Sequence, residues 1–190
     1  MKASRSSLVA LLAMLALLAG CAGVTTIDSQ VRAFSAGTAL PAPTSYRFER
    51  LPSQQDVNQP RLEAMADTAL AQVGLRRDDA APRLSVQIGA RVQQVLSPWD
   101  DPWMGWGLGW HRHHGGMFMG SQWTNPWYQR EVSVIVRDLS SNKVIFESHA
   151  TSDGPWGDNA MVLPAMFQAA MAGFPNPPAG PRTVNITVPG

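Results

Sequence analysis

Beyond residue 44 the chain repeatedly alternates apolar and polar residues, which is the period-two pattern of strands with one buried face. Five stretches share this pattern: residues 45–49, 84–92, 132–136, 144–146 and 184–188. The segment Ser140-Ser141-Asn142-Lys143 has the composition of a tight turn. It predicts that the third and fourth stretches form a hairpin, and the last stretch predicts an edge strand.

Two further stretches repeat apolar residues at the 3.6-residue spacing of an amphipathic helix. The first follows Asn58, which we predict as its N-cap, and ends before Gly74. The second follows Asp158 and ends before Gly173, and Pro164 inside it predicts a kink or a restart. The element order predicts an α+β domain, with a mostly antiparallel sheet and two helices packed on one face.

The first 20 residues form a separate segment with a basic start at Lys2 and Arg5 and an apolar run from Leu8 to Leu18. A helix that crosses a bilayer needs roughly twenty apolar residues. This run is about half that length, so we interpret residues 1–20 as a secretory signal peptide.

The stretch Leu18-Ala19-Gly20-Cys21 resembles the lipobox of bacterial lipoproteins. That resemblance implies cleavage before Cys21 and attachment of lipid to its thiol. Cys21 is the only cysteine of the chain, and a lone thiol in an oxidising compartment would otherwise need an explanation. A signal peptide without lipid is the alternative. Position 22 is alanine, whereas an aspartate there usually retains such lipoproteins at the inner membrane, so we expect the periplasmic face of the outer membrane.

Residues 21–43 are interpreted as the lipidated N-terminus and a tether, with one short strand near Gln30–Ser35, and residues 44–190 as a single domain. Removal of the signal peptide takes away two basic residues, which leaves 13 basic against 14 acidic residues in a chain of 170. Nucleic-acid binding would require a basic face. We therefore expect no nucleic-acid partner.

Residues 98–128 are a long Trp-, Gly- and His-rich insertion between two central strands. Six of the seven tryptophans lie here: Trp99, Trp103, Trp106, Trp110, Trp123 and Trp127. The first four have helical spacing, but the interleaved glycines each disfavour a helix by about 1 kcal/mol, so we prefer an extended arm. Tryptophan is favoured at membrane interfaces, so contact with lipid or with a neighbouring envelope protein is one interpretation. Packing over the protein's own sheet is the other.

Three histidines of the insertion form a second candidate site. Imidazoles of His111, His113 and His114 suit zinc, nickel or copper, so periplasmic transition-metal binding is an alternative function. Neighbouring histidines rarely reach one ion with good geometry, and the alternative is a loop whose histidines keep an aromatic arm hydrated.

The chain contains no nucleophile elbow, metalloprotease motif or phosphate-binding glycine loop. His149 near Asp153, with Ser148 or Ser152, is a weak candidate for a hydrolytic triad, because such combinations arise by chance. We expect neither enzymatic activity nor a cofactor.

Several segments together resemble one family of bacterial lipoproteins. They are Tyr46-Arg47-Phe48-Glu49-Arg50-Leu51-Pro52, Gln72-Val73-Gly74-Leu75, Arg83-Leu84-Ser85-Val86, Gly173-Phe174-Pro175 and Arg182-Thr183-Val184. Their order behind a lipobox is similar to that of the domain-of-unknown-function 4136 family. The resemblance implies a small envelope lipoprotein with an α+β domain, and it assigns no catalytic residue. We therefore expect a non-enzymatic protein, anchored to the membrane through Cys21, that presents its aromatic insertion to an envelope partner.

Overall fold

The computed structural model describes residues 24–97 and 126–189. Two helices and seven strands follow one another in the order β1 (Val24–Ser35), β2 (Thr44–Phe48), α1 (Gln59–Gln72), β3 (Leu75–Arg77), β4 (Leu84–Val95), β5 (Trp127–Asp138), β6 (Lys143–Gly154), α2 (Asn159–Met171) and β7 (Arg182–Pro189). One 3-10 turn, Pro52–Gln54, precedes α1. None of the helices in these ranges has the length and apolarity needed to cross a membrane.

All seven strands form one sheet in the order β3-β2-β4-β5-β6-β1-β7. Most neighbours are antiparallel, which confirms the predicted α+β class. The exception is β2, which runs parallel to both β3 and β4, so the sheet is mixed. Strand β3 was not predicted, because three residues are too few to display an alternation.

Strand β1 is far longer than the short strand predicted near Gln30–Ser35. Its twelve residues pair with β6 on one side and with β7 on the other. Every second residue from Ile27 to Ala33 is buried. One of these inward residues is Ser29, and this polar residue interrupts the apolar pattern that would have revealed the strand.

The core lies between one face of the sheet and the two helices. Helix α2 contacts β1, β5, β6 and β7, α1 contacts β3 and β4, and the helices contact each other. The fully buried side chains of this layer include Ile27, Leu84, Val86, Val132, Val134, Phe146, Met166 and Phe167. Both helices therefore pack on the same face, as predicted. No element within residues 24–97 and 126–189 covers the opposite face, which we call the open face.

Helix α2 begins as predicted, since the Asp158 carboxylate accepts a hydrogen bond of 2.8 Å from the Ala160 amide. It continues through Pro164 to Met171 as one element and does not restart there. The β5–β6 hairpin also follows the prediction. Asp138 accepts hydrogen bonds from Ser140 that close the turn and lower the pKa of the Asp138 carboxyl.

The N-terminus of α1 differs from the prediction. The Asn58 side chain makes no capping hydrogen bond. Instead the Asp56 carboxylate accepts from the backbone amides of Asn58, at 2.6 Å, and of Gln59, at 3.2 Å. Gly74 ends the helix as predicted, with a φ of +83° that favours glycine.

We predict that Asp56→Ala lowers the free energy of unfolding by about 1 kcal/mol, the usual effect of removing a helix cap. Asn58→Ala is the matched control and should change little, because its side chain caps nothing. Urea unfolding of the purified variants measures both values. Equal losses in the two variants would contradict this assignment of the cap.

Candidate functional site

Most of the residues that the sequence singled out lie outside the described residues. These are Cys21, His111, His113, His114, Trp99, Trp103, Trp106, Trp110 and Trp123. The predicted lipid attachment, metal binding and aromatic contacts of these residues therefore stay predictions. Within residues 24–97 and 126–189, no three His, Cys, Asp or Glu side chains are placed to hold a metal ion together.

Trp127 is the one predicted aromatic contact residue that the structure describes. It is the first residue of β5, where it pairs with Val95 of β4, and its side chain is half-buried. Its indole N–H donates to the Asp153 carboxylate at 3.0 Å. The residue is thus part of the regular sheet, so the sheet extends into what the sequence assigned to the insertion.

The residues proposed for a hydrolytic triad point to opposite faces of β6. Ser148 is fully buried on the helix side, where its hydroxyl has no hydrogen-bond partner. His149, the next residue, lies on the open face, since successive strand side chains alternate. Ser152 shares the face of Ser148, whereas Asp153 shares that of His149. The structure does not bring these four residues together.

His149 instead lies between two carboxylates on the open face. Its Nε2 is 3.0 Å from Glu147 Oε1, and its Nδ1 is 3.6 Å from Glu131 Oε1. Arg32 is its register partner on β1. Because the carboxylates approach opposite ring nitrogens, they share no common point at which a metal ion could be held. The arrangement instead places carboxylates beside a guanidinium on the open face.

A shallow hollow of about 440 Å³ extends from this cluster toward β1. Its lining includes His149, Glu147, Arg32, Phe34 and Pro181. The hollow combines charged groups with the exposed ring of Phe34. It is therefore complementary to a charged surface that carries one apolar side chain.

A second groove, also of about 440 Å³, lies between the N-termini of the two helices. Helix N-termini attract anions through their free amide groups. Here Asp56 and Asp158 already accept hydrogen bonds from these amides and place two negative charges in the groove. The groove is therefore poorly suited to an anionic ligand, although Arg61 lies on its wall.

Arg130 is a buried cation beside this groove, with 1% of its surface exposed. Its guanidinium donates to the Asn159 side-chain oxygen at 2.8 Å and to the Trp156 carbonyl, and it lies 5.0 Å from the centre of the Tyr128 ring. Burial lowers the pKa of Arg130. Its contacts join β5 to the start of α2, which indicates a structural role.

A network of ion pairs joins the β2–β3 edge of the sheet to α1. Glu63 is 1% exposed and accepts two hydrogen bonds from Arg50, at 2.5 and 2.8 Å. Arg77 Nη2 lies 3.7 Å from the same carboxylate. A buried charge is tolerated only when it is paired and hydrogen-bonded. Sequence analysis missed this network because nothing in the helical pattern distinguishes Glu63 from an exposed glutamate.

Tyr46 belongs to the same edge. Its hydroxyl donates to Asp67 Oδ1 at 2.5 Å, and its ring packs edge-on against Phe48. Burial, and then this hydrogen bond, raise the pKa of Tyr46 above its ordinary range. Tyr46, Phe48 and Arg50 all come from the first segment of the family resemblance, and Tyr46 and Arg50 join that segment to α1 through Asp67 and Glu63.

The chain belongs to the family described as "Domain of unknown function (DUF4136)", whose model matches residues 30–176. No curated protein matches the chain. Among solved structures, it is similar to PelC from Paraburkholderia phytofirmans, crystallised as a dodecamer, with 10% identity, a TM-score of 0.49, and coverage of 76% of this chain and 95% of that chain.

It is also similar to a PDZ domain protein from Parabacteroides distasonis, with 13% identity and a TM-score of 0.46. That match covers 98% of this chain but 44% of the other, so the chain spans less than half the length of that protein.

The raised pKa of Tyr46 leads to a prediction about alkaline stability. Below pH 10 the phenol is protonated in both the folded and the unfolded protein. Above pH 10 the unfolded chain releases the proton while the folded chain keeps it, so the stabilisation is lost as pH rises.

We therefore expect the free energy of unfolding to fall above about pH 10, and to fall less steeply in Tyr46→Phe. Urea unfolding between about pH 9 and pH 11 measures the difference. Phe48→Leu is the control, because it alters the ring that packs against Tyr46 but removes no ionisable group, and it should show the same alkaline loss as the unaltered protein. A Tyr46→Phe curve parallel to that of the unaltered protein would refute the prediction.

Proposed function

We propose that this protein is a lipid-anchored envelope protein on the periplasmic face of the outer membrane, which binds a partner and catalyses no reaction. The observation that carries the proposal is the position of Val24. It is the first residue of β1, and it follows the lipobox cysteine by three residues. Lipid on Cys21 would therefore be joined almost directly to a folded sheet.

The open face of the sheet supports a binding role. Its central groups, His149, Glu131, Glu147 and Arg32, lie on rigid strands and carry charges of both signs. Positions on strands are held more precisely than positions on loops, which favours recognition of a complementary surface.

The insertion is part of the same proposal. Its attachment points, Ser97 and Pro126, follow β4 and precede β5, which are directly paired strands. We propose that its tryptophans contact a neighbouring envelope protein. Tryptophan is among the residues that contribute most to protein interfaces.

The first test concerns the anchor. Cys21→Ser should abolish incorporation of labelled palmitate and release the protein from the membrane fraction of a bacterium with two membranes. Ala22→Asp is the matched variant: it should keep the label but move the protein to the inner membrane. Labelled Cys21→Ser protein, or unaltered protein found free in the periplasm, would overturn the proposed anchor.

The second test concerns the partner. Replacing residues 97–125 with a two-residue Asn-Gly turn should leave the sheet intact, because the β4–β5 register brings Leu96 opposite Pro126 and this turn closes antiparallel hairpins. We expect the variant to keep its circular dichroism spectrum and to lose the envelope proteins that crosslink to the unaltered protein. Arg32→Glu on the open face should weaken the same crosslinks by reversing one charge. Crosslinks unchanged in both variants would refute the binding surfaces proposed here.

A further inference from the structure

The two ends of the sheet differ, and its register shows which residues share each end. Val95 pairs with Trp127, Tyr128 with Gly154, and Val24 with Pro189. The β1–β6 register, continued three residues beyond the pair Gln30–Thr151, brings Gly154 level with Ile27. These strand ends therefore form one line across the sheet. We call this end the sheet rim, and it comprises residues 24–27, 94–97, 126–128, 154 and 186–189.

Exposed apolar side chains gather at the sheet rim. Leu96 is 77% exposed, Val24 68% and Val95 39%. Trp156, 44% exposed, follows the end of β6, and a Cβ built on Gly154 would come within 3.2 Å of its indole ring. These residues lie on both sides of the line of strand ends, so this end of the sheet exposes apolar groups on both of its faces.

The sheet rim also lacks charge. None of its residues is Asp, Glu, Lys, Arg or His. Charges begin in the next row, with Asp28 on β1 and Asp153 on β6, and Asp153 accepts a hydrogen bond from Trp127. The uncharged band is four residues deep, about 13 Å at the rise of a strand.

The opposite end of the sheet, in contrast to the rim, is rich in charged residues. Charged residues occupy or adjoin nearly every strand terminus there: Arg76, Arg77, Arg83, Arg137, Asp138, Lys143 and Arg182. Two exposed apolar residues, Phe34 and Val144, also lie toward this end, but each has a charged register partner, Glu147 and Arg137 respectively. Of the two ends of the described sheet, the rim is the one that combines exposed apolar groups with an absence of charged residues.

We infer that the sheet rim rests in the headgroup region of the membrane that carries the lipid anchor. This inference rests on the proposed lipidation of Cys21. Three residues span at most about 11 Å, so Cys21 holds Val24, one corner of the rim, within that distance of the acyl chains. The anchor and the uncharged end are thus on the same side of the domain.

The chemistry of the rim fits lipid headgroups. Tryptophan side chains are favoured in this layer, and charged groups are disfavoured as depth increases. Surface-seated segments enter the interface by about 5–10 Å, which the uncharged band accommodates. Since the rim carries no lysine or arginine, its contact does not depend on anionic lipids and should persist at high salt.

The test uses the acylated lipoprotein in vesicles of phosphatidylethanolamine and phosphatidylglycerol. Cys21 is consumed by its lipid, so a second cysteine is the only free thiol that can be labelled. Leu96→Cys and Trp156→Cys place a fluorophore at the rim. Phe34→Cys and Val144→Cys, which are similarly exposed at the other end, are the matched controls.

We expect a quencher carried on the lipid to remove most of the emission from labels at positions 96 and 156, and an aqueous quencher to act mainly on labels at 34 and 144. The pattern should be unchanged in high salt. Two results would show that this orientation is wrong while leaving the lipid anchor supported, provided that the acylated protein floats with the vesicles. In the first, the aqueous quencher reduces the emission of the rim labels; in the second, neither quencher does. Absence of palmitate would instead overturn the proposed function, and this inference with it.

Discussion

The pairing of β1 with both β6 and β7 is the interaction on which the rest of the structure depends. It joins the beginning of the described chain to its end, with Val24 opposite Pro189. Without β1, β7 would have no neighbour in the sheet, and α2 would lose part of the surface on which it packs. Pairing segments that are far apart in the sequence reduces the conformational entropy of the chain, which disfavours folding. Burial of the apolar side chains of Ile27 and Val31 offsets this cost.

The same pairing of β1 also limits how a lipid-anchored domain would be oriented relative to the membrane. A flexible tether of about twenty residues would let the domain move away from the membrane and turn freely. Because β1 begins at Val24, the connection to Cys21 is reduced to three residues. A connection this short would restrict rotation of a lipid-anchored domain relative to the membrane. The uncharged end of the sheet would then face the bilayer, whereas a long tether would let either end do so.

Glu63 and Arg130 are buried charges that perform separate structural tasks. At the edge of the sheet, Glu63 with Arg50 and Arg77 holds the parallel strands β2 and β3 against α1. Beside the groove, Arg130 joins β5 to the start of α2. Both charges are paired or hydrogen-bonded within the protein, so the surfaces that we propose for recognition among the described residues are the open face and the sheet rim. Family membership assigns no chemistry to either.

The sequence by itself determined the elements whose patterns are local: the strands of the β4–β5–β6 meander, the two helices, the Asp158 cap and the hairpin turn. It also contains a segment before Cys21 that resembles a lipobox. Alternation and capping act over a few neighbouring residues, and so they can be read along the chain. Only the tertiary structure decided the partners of β1, the parallel β3, the burial of Glu63 and the separation of Ser148 from His149. Each of these features depends on which distant segments of the chain pack together. The same long-range pairing brings four strand ends and the Gly154–Trp156 segment to one end of the sheet, where they form the uncharged rim.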